Sequence, residues 1–543
     1  MRDALDELFG RIRSTLQRDV LDAAARRALW SDVCAYARAD ADAFSSRCLP
    51  YLQGFPHHFH EPLQTLGDLD ELERACGLLP HARWAVELGD WEGTGDAICD
   101  LLTSPLFAQV DRLDLQSVEV GIGGMDALVN NPHMRNIQWL GLGMTRLGAD
   151  GVEALTRSPH LTSLSRLGLS FNALGARSVS AICNTSGLSG LTELCLGLER
   201  PSPLSLRGSR RMPYHHGLGN YMPRFETADL IELFSAPALQ ALTHLNLAFT
   251  NLGPRDIQAL ADVEGLPSLE VLDLSYNTLG DEGLEAFARS PYRTQLRELS
   301  LIGCQLSAAG VEALASSEHM QTLESLDLSG NAIGVRGIRA LARMPHLHTL
   351  KLSRARISNE ELEALADAFD GRGIEHLELQ YNDFDADAAL ALARAWNPSG
   401  MFLGLGYNTL DVGFADAFAR TPLASGLSGL NVTSCGLGDD GLLALLRPDV
   451  LRGLETLDVE GNGMGTQATR ALSSTPEASS LRRLDIANNP IGDDELDVLT
   501  SSPHLQGIRS VCLGRTSLSA VGRASLRRSA WWSFIDDASF WDE

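Results

Sequence analysis

Much that would mark an enzyme, a membrane protein or an exported one is missing from this sequence. No run of about 18 apolar residues occurs, so a membrane-spanning helix is not expected. Met1 to Leu21 is dense with Asp, Glu and Arg, with no apolar stretch behind the first basic residues. Export by the general secretory route is therefore not expected either. The nine Cys form no CxxC pair, and they read as reduced thiols. A cytoplasmic location follows as the expectation. There is no GxxxxGKS loop, no GxSxG elbow, no HExxH and no nucleophile–base pairing, so no catalytic residue and no cofactor is assigned. His57-His58-Phe59-His60-Glu61 has the right residue types for a metal, but no second ligand pair matches it, and it reads as a solvated loop. Aromatics are scarce at 6%, and basic residues fall far short of acidic ones, leaving a net charge of −26. Nucleic-acid phosphates would be repelled by such a chain, and a partner protein with a basic surface is the natural complement. The same acidity also serves solubility.

What is abundant is leucine, glycine (50 residues) and length. At 543 residues the chain exceeds one compact core. It repeats: Leu272-Asp-Leu274-Ser-Tyr-Asn277-Thr-Leu279-Gly280 aligns position by position with Leu326-Asp-Leu328-Ser-Gly-Asn331-Ala-Ile333-Gly334. The first apolar residue of this pattern falls at 86, 113, 140, 167, 194, 218, 245, 272, 299, 326, 350, 377, 403, 430, 457, 484 and 511. The spacing is 27, except for 24 at two steps (194 to 218 and 326 to 350) and 26 at one (377 to 403). LxL alternation predicts a short strand with its leucines inward. Asn at position six (Asn172, Asn277, Asn331, Asn382, Asn408, Asn462, Asn489) is placed to bond turning backbone that would otherwise be buried unpaired. Thr250, Cys304, Cys435 or Thr516 takes that place in other units. An LGxxG turn then leads into a helix, often broken by a Ser-Pro or Thr-Pro step such as Ser290-Pro291.

These motifs resemble the leucine-rich-repeat superfamily over roughly Trp84 to Arg515, and most of all its ribonuclease-inhibitor-like branch, which includes Ran GTPase-activating proteins and many bacterial proteins. The resemblance implies an α/β solenoid, a horseshoe with a parallel concave sheet and convex helices. It also implies a protein-binding role, without a catalytic residue to carry over. Together with an Ala-, Arg-, Asp- and Gly-rich composition it suggests a bacterial source. Three parts are expected: a helical cap over 1–83, a solenoid of about seventeen units over 84–515, and a C-terminal cap over 516–543 that includes Trp531, Trp532, Phe534, Phe540 and Trp541.

Positions two, four and five of each strand are expected to face the concave side. Position two then carries an acidic ladder (Glu87, Asp114, Asp273, Asp327, Glu378, Asp458, Asp485), and position five an aromatic stripe (Phe171, Phe249, Tyr276, Tyr381, Tyr407). Together they suit a basic protein surface, with tyrosines as hot spots, although LDLS is also simply the strand consensus of such repeats. The irregular loop 197–217 replaces a helix. Residues 200–225 hold Arg200, Arg207, Arg210, Arg211 and Arg224, with Tyr214 and paired histidines, and no acid. Pro201, Pro203 and Pro213 exclude a helix there. The loop is a candidate binding element, or a brace pinned by arginine to the acidic solenoid. The expectation is a monomeric, non-catalytic interaction scaffold. A small-GTPase activator and an effector delivered into another cell are the alternatives.

Overall fold

The structure, a computed structural model, describes residues 84–88, 95–198, 225–396 and 399–529, together with Phe9, Arg11, Ile12, Val33, Thr65, Leu66, Pro223, Trp531 and Ile535. The helical cap expected over most of 1–83 and the loop arginines Arg207, Arg210 and Arg211 with Tyr214 lie outside the described residues, as do His57–Glu61. The described chain falls into two compact units. The first runs through Thr250 and takes in Glu264–Ser268; the second takes Asn251–Val263 and everything from Leu269 on.

Each unit is a stack of β/α coils, an α/β solenoid in which every strand pairs parallel with the strand of the next coil. In the first unit the equivalent residues Val86, Leu113, Leu140, Leu167, Leu194 and Leu245 stand side by side. In the second, Leu272, Leu299, Leu326, Leu350, Leu377, Leu403, Leu430, Leu457, Leu484 and Val511 do the same. Coils are named below by these residues. The leucines at positions one and three are buried throughout, as the two-residue period of a strand requires when one face meets a core. Behind them the helices Pro254–Ala261, Gly280–Ala288 and Ala308–Ser316 pack side by side, each buried along one stripe.

The position-six side chains close the core. Asn331 accepts from the Leu306 N–H at 3.0 Å and donates to the carbonyls of Leu301 (2.7 Å) and Leu328 (3.0 Å). Asn172, Asn277, Asn382, Asn408, Asn462 and Asn489 repeat the theme. Where the residue is Cys or Thr only the donor half survives: Cys304 Sγ reaches the Leu274 carbonyl at 3.2 Å and Cys435 Sγ that of Leu405 at 3.4 Å. Burial pushes these two thiols up to about 12 and about 11, so they stay protonated. Gly280 opens the helix with φ +59, a left-handed turn that a glycine adopts without steric cost.

Two boundaries differ from the sequence expectation. Leu194 pairs directly with Leu245, so the sheet has no strand between theirs where the spacing expected one at Leu218, which itself lies outside the described residues. At the start, Thr65–Leu66 forms a further parallel strand against Ala85–Val86, inside the segment expected to be a helical cap. At the other end Ile535 bridges Val511 in parallel, and both Trp531 and Ile535 are buried.

Candidate protein-interaction face

Each strand is short, and its own side chains end it. At position two, the Asp273 carboxylate accepts from the Ser275 N–H at 2.9 Å, Asp327 from Ser329 at 3.0 Å, Asp458 from Glu460 at 3.2 Å and Asp485 from Ala487 at 3.1 Å. Asn246 and Asn431 do the same. This side-chain bond two residues onward mimics a backbone turn and bends the chain out of the sheet. Position five therefore lies in the turn beyond the strand, where Met144, Phe171, Phe249, Tyr276, Arg354, Tyr381 and Tyr407 all have φ between +53 and +62. Gly303 and Gly330 occupy the same conformation.

The acidic ladder is consequently much of the turn machinery. Asp114, Asp327 and Asp485 are buried, and Asp273, Glu378, Asp458 and Glu87 half-buried. Burial raises Asp114 and Asp458, and it pushes Asp485, with Asp458 beside it, up to about 7. Glu378 differs. Burial pushes it up, but the hydrogen bond from His376 (2.8 Å) and the ammonium of Lys351 (3.0 Å) outweigh this and hold it below the ordinary glutamate value. Oxygens of Asp458, Glu460 and Asp485 converge within 4.8 Å, which is metal-ligand spacing. They already accept from Asn431 (2.9 Å) and Thr433 (2.7 Å) on Asp458, from Asn488 on Glu460 and from the Ala487 N–H on Asp485.

The aromatic stripe divides in two. Phe171 and Phe249 in the first unit pack on each other at 6.5 Å between centroids, and Phe171 is only 4% exposed. In the second unit Tyr276, Tyr381 and Tyr407 are 43%, 42% and 39% exposed. Tyr381 and Tyr407 stack face to face at 3.9 Å, and the Arg354 guanidinium lies 4.4 Å over the other face of Tyr381. The Tyr407 hydroxyl hydrogen-bonds with that of Tyr381. That bond, together with burial and the nearby Glu460 charge, pushes it up to about 12, so the Tyr407 phenol remains neutral. A second stack joins the same two coils at the start of their strands, with His376 on Phe402 at 4.4 Å.

The family model described as "Leucine Rich repeat" matches residues 239–261, 265–288, 319–342, 427–446 and 477–494. These are leucine-rich repeats. No curated protein matches the chain. Among solved structures, an internalin from Listeria monocytogenes is similar at 18% identity and a TM-score of 0.39, covering 70% of this chain and 92% of that one. Within the repeats, one coil stands apart in a way the sequence reading missed. The chain has a single lysine among its 44 basic residues, Lys351, and it sits at position two of the Leu350 coil, where other coils carry Asp, Glu, Asn or a small residue. With Arg354 and Arg356 it places three cations within six residues. The signal was legible as a break in the position-two consensus.

Proposed function

We propose that this leucine-rich-repeat chain is a non-catalytic scaffold that holds a partner protein on the open face of its sheet, with Tyr276, Tyr381 and Tyr407 as principal contacts. Leucine-rich repeats generally serve as protein-interaction modules, because a row of short parallel strands presents an extended, rigid surface. The observation that carries the reading is the exposed Arg354–Tyr381–Tyr407 stack. Large rings held rigid at the surface bring contact area at low entropic cost, and they are typical interface hot spots. No helix among the described residues is long and apolar enough to cross a membrane.

The proposal extends to the chemistry of encounter. A chain of net charge −26 draws a partner with a basic surface through long-range steering, and it disfavours nucleic acid. Asp273, Asp327, Glu378 and Asp458 contribute to that field, with Arg207, Arg210, Arg211 and Tyr214 as a second contact. Monomeric state, cytoplasmic location, bacterial source and the ribonuclease-inhibitor-like branch belong to the same reading. The test is an affinity pull-down with mass spectrometry from the source lysate. Wild type is compared with Tyr276/Tyr381/Tyr407→Ala and with Arg207/Arg210/Arg211→Glu. A partner retained by wild type and lost with the tyrosine triple supports the scaffold and its face. A partner retained equally by all three removes both contacts, and a wild type that retains nothing specific at low salt removes the scaffold.

A further inference from the structure

The turn edge of the second unit carries an unspent positive charge in a strongly acidic protein. Arg354 and Arg356 are exposed, and neither forms a salt bridge among the described residues. Arg289, Arg297, Arg336 and Arg420 of the same unit are each paired with a carboxylate. Lys351, on the same coil, is held by Glu378. Toward the N-terminal side the next two coils offer no acid at positions four to seven: Ile302-Gly303-Cys304-Gln305 and Ser329-Gly330-Asn331-Ala332. Asp383 on the following coil is the exposed acid at the equivalent of Arg356, and its own backbone N–H donates to the Ile357 carbonyl at 3.0 Å.

The same two coils also interrupt the row of position-five side chains. Tyr276 leans over Gly303, where an added Cβ would sit 3.3 Å from the ring, and Gly330 carries no side chain, an added Cβ there lying 3.3 Å from the Gly303 backbone N. Arg354 leans the other way, onto Tyr381. Three strand spacings separate Tyr276 from Arg354, about 14 Å, so the second face of the guanidinium opens onto a small-residue floor. A guanidinium with one face on a tyrosine and the other open offers a stacking surface and a fork of donors for a carboxylate.

We infer that the Leu299 to Leu403 coils receive an extended partner segment in which an aromatic side chain stands beside carboxylates. The ring lies against the open face of Arg354 above Gly330, and the carboxylates pair with Arg354 and Arg356. The charge complementarity is local. The field of the whole chain attracts cations, while these coils hold two guanidinium groups, Arg354 and Arg356, with no salt bridge among the described residues, which a docked acidic segment would pair. This inference rests on the scaffold reading and adds the chemistry of the anchor.

The test uses the full chain as bait for a displayed library of random short peptides, with the enriched peptides then titrated by fluorescence polarisation. Three proteins are compared: wild type, Gly330→Tyr and Arg354→Glu/Arg356→Glu. Gly330→Tyr fills the gap with a side chain at φ +71, close to the conformation that Tyr276, Tyr381 and Tyr407 already hold, and thermal melts check that both variants fold. Wild type is expected to enrich sequences with an aromatic residue next to Asp or Glu. Both variants are expected to weaken those peptides by about tenfold or more. The charge-reversed variant is expected to select basic residues in their place. A basic or purely apolar consensus for wild type, undiminished binding to Gly330→Tyr, or no enrichment at all overturns the inference. The tyrosine-dependent pull-down stands or falls separately, so loss of the anchor is distinguishable from loss of the scaffold.

Discussion

At position six a single side chain does the work of several backbone partners, and the cost of losing it can be ordered by chemistry. Asn331→Ala strands the Leu306 N–H and the Leu301 carbonyl in the core, and roughly 2–4 kcal/mol of stability should go with them. Asn331→Cys keeps a donor toward the carbonyl, as Cys304 does in the preceding coil, and should cost less than Asn331→Ala. Chemical denaturation of the two variants checks the order, and equal losses would show that the N–H acceptor alone matters. Asp485 supplies a pH test. Its carboxyl holds a proton to about pH 7 because it is buried beside Asp458, with Glu460 adding to the repulsion, whereas the unfolded group releases its proton near pH 4. Between those values the folded state binds the extra proton, so this contribution to stability is full below the window and is lost as pH rises through it. Asp485→Asn keeps an oxygen for the Ala487 N–H and removes the charge. It should raise the melting temperature at pH 8 and do little near pH 4. A gain that is the same at both values would show that the charge is not the cause.

The coil was legible because its inward leucines, its asparagine and its turn glycine each answer a different physical demand at a fixed spacing. Nearly every strand accordingly falls where the 27-residue register put it. The misreadings have physical causes too. Leu218 satisfied the spacing, but one leucine between glycines carries no LxL alternation, and Leu194 pairs past it with Leu245. Thr65–Leu66 is too short a strand to show a period. By alternation alone position five continues the strand, yet Gly303, Gly330 and Gly461 at that position point to left-handed backbone. The lone lysine is visible in the sequence, but its meaning depends on the neighbouring Glu378 and His376, which only the fold brings to it. If the coil is the true unit, it can be excised whole. Deleting Leu299–Ser325, which is 27 residues, joins Glu298, the register equivalent of Ser325, directly to Leu326 and keeps every leucine inward. A cooperative melt with a proportionate loss of helical circular dichroism is expected. Deleting only Leu299–Val311 puts Glu312 where Leu299 was and leaves half a coil between Glu298 and Leu326, so it should abolish cooperative unfolding. A cooperative melt from the half-coil deletion would contradict the register.

Across the whole molecule, charge acts at two ranges, and they make separable predictions. The net charge of −26 acts beyond contact and is screened over about 10 Å at moderate salt. Arg354 and Arg356 act only once a segment is seated. For an enriched aromatic–acidic peptide, the global field opposes approach, so its association rate should rise as salt is added, while the dissociation rate reports on the two arginines. Removing exposed acids on the helical side, for example Glu282→Gln with Glu363→Gln, should speed association modestly at low salt and leave dissociation unchanged. Arg354→Glu/Arg356→Glu should instead raise the dissociation rate by about tenfold or more. A basic partner protein should show the opposite salt dependence on approach, slowing as ionic strength rises. Stopped-flow measurements across salt concentrations distinguish the two cases. If the peptide associates more slowly at high salt, steering is toward the arginines themselves, and the local cations rather than the acidic field govern encounter as well as grip.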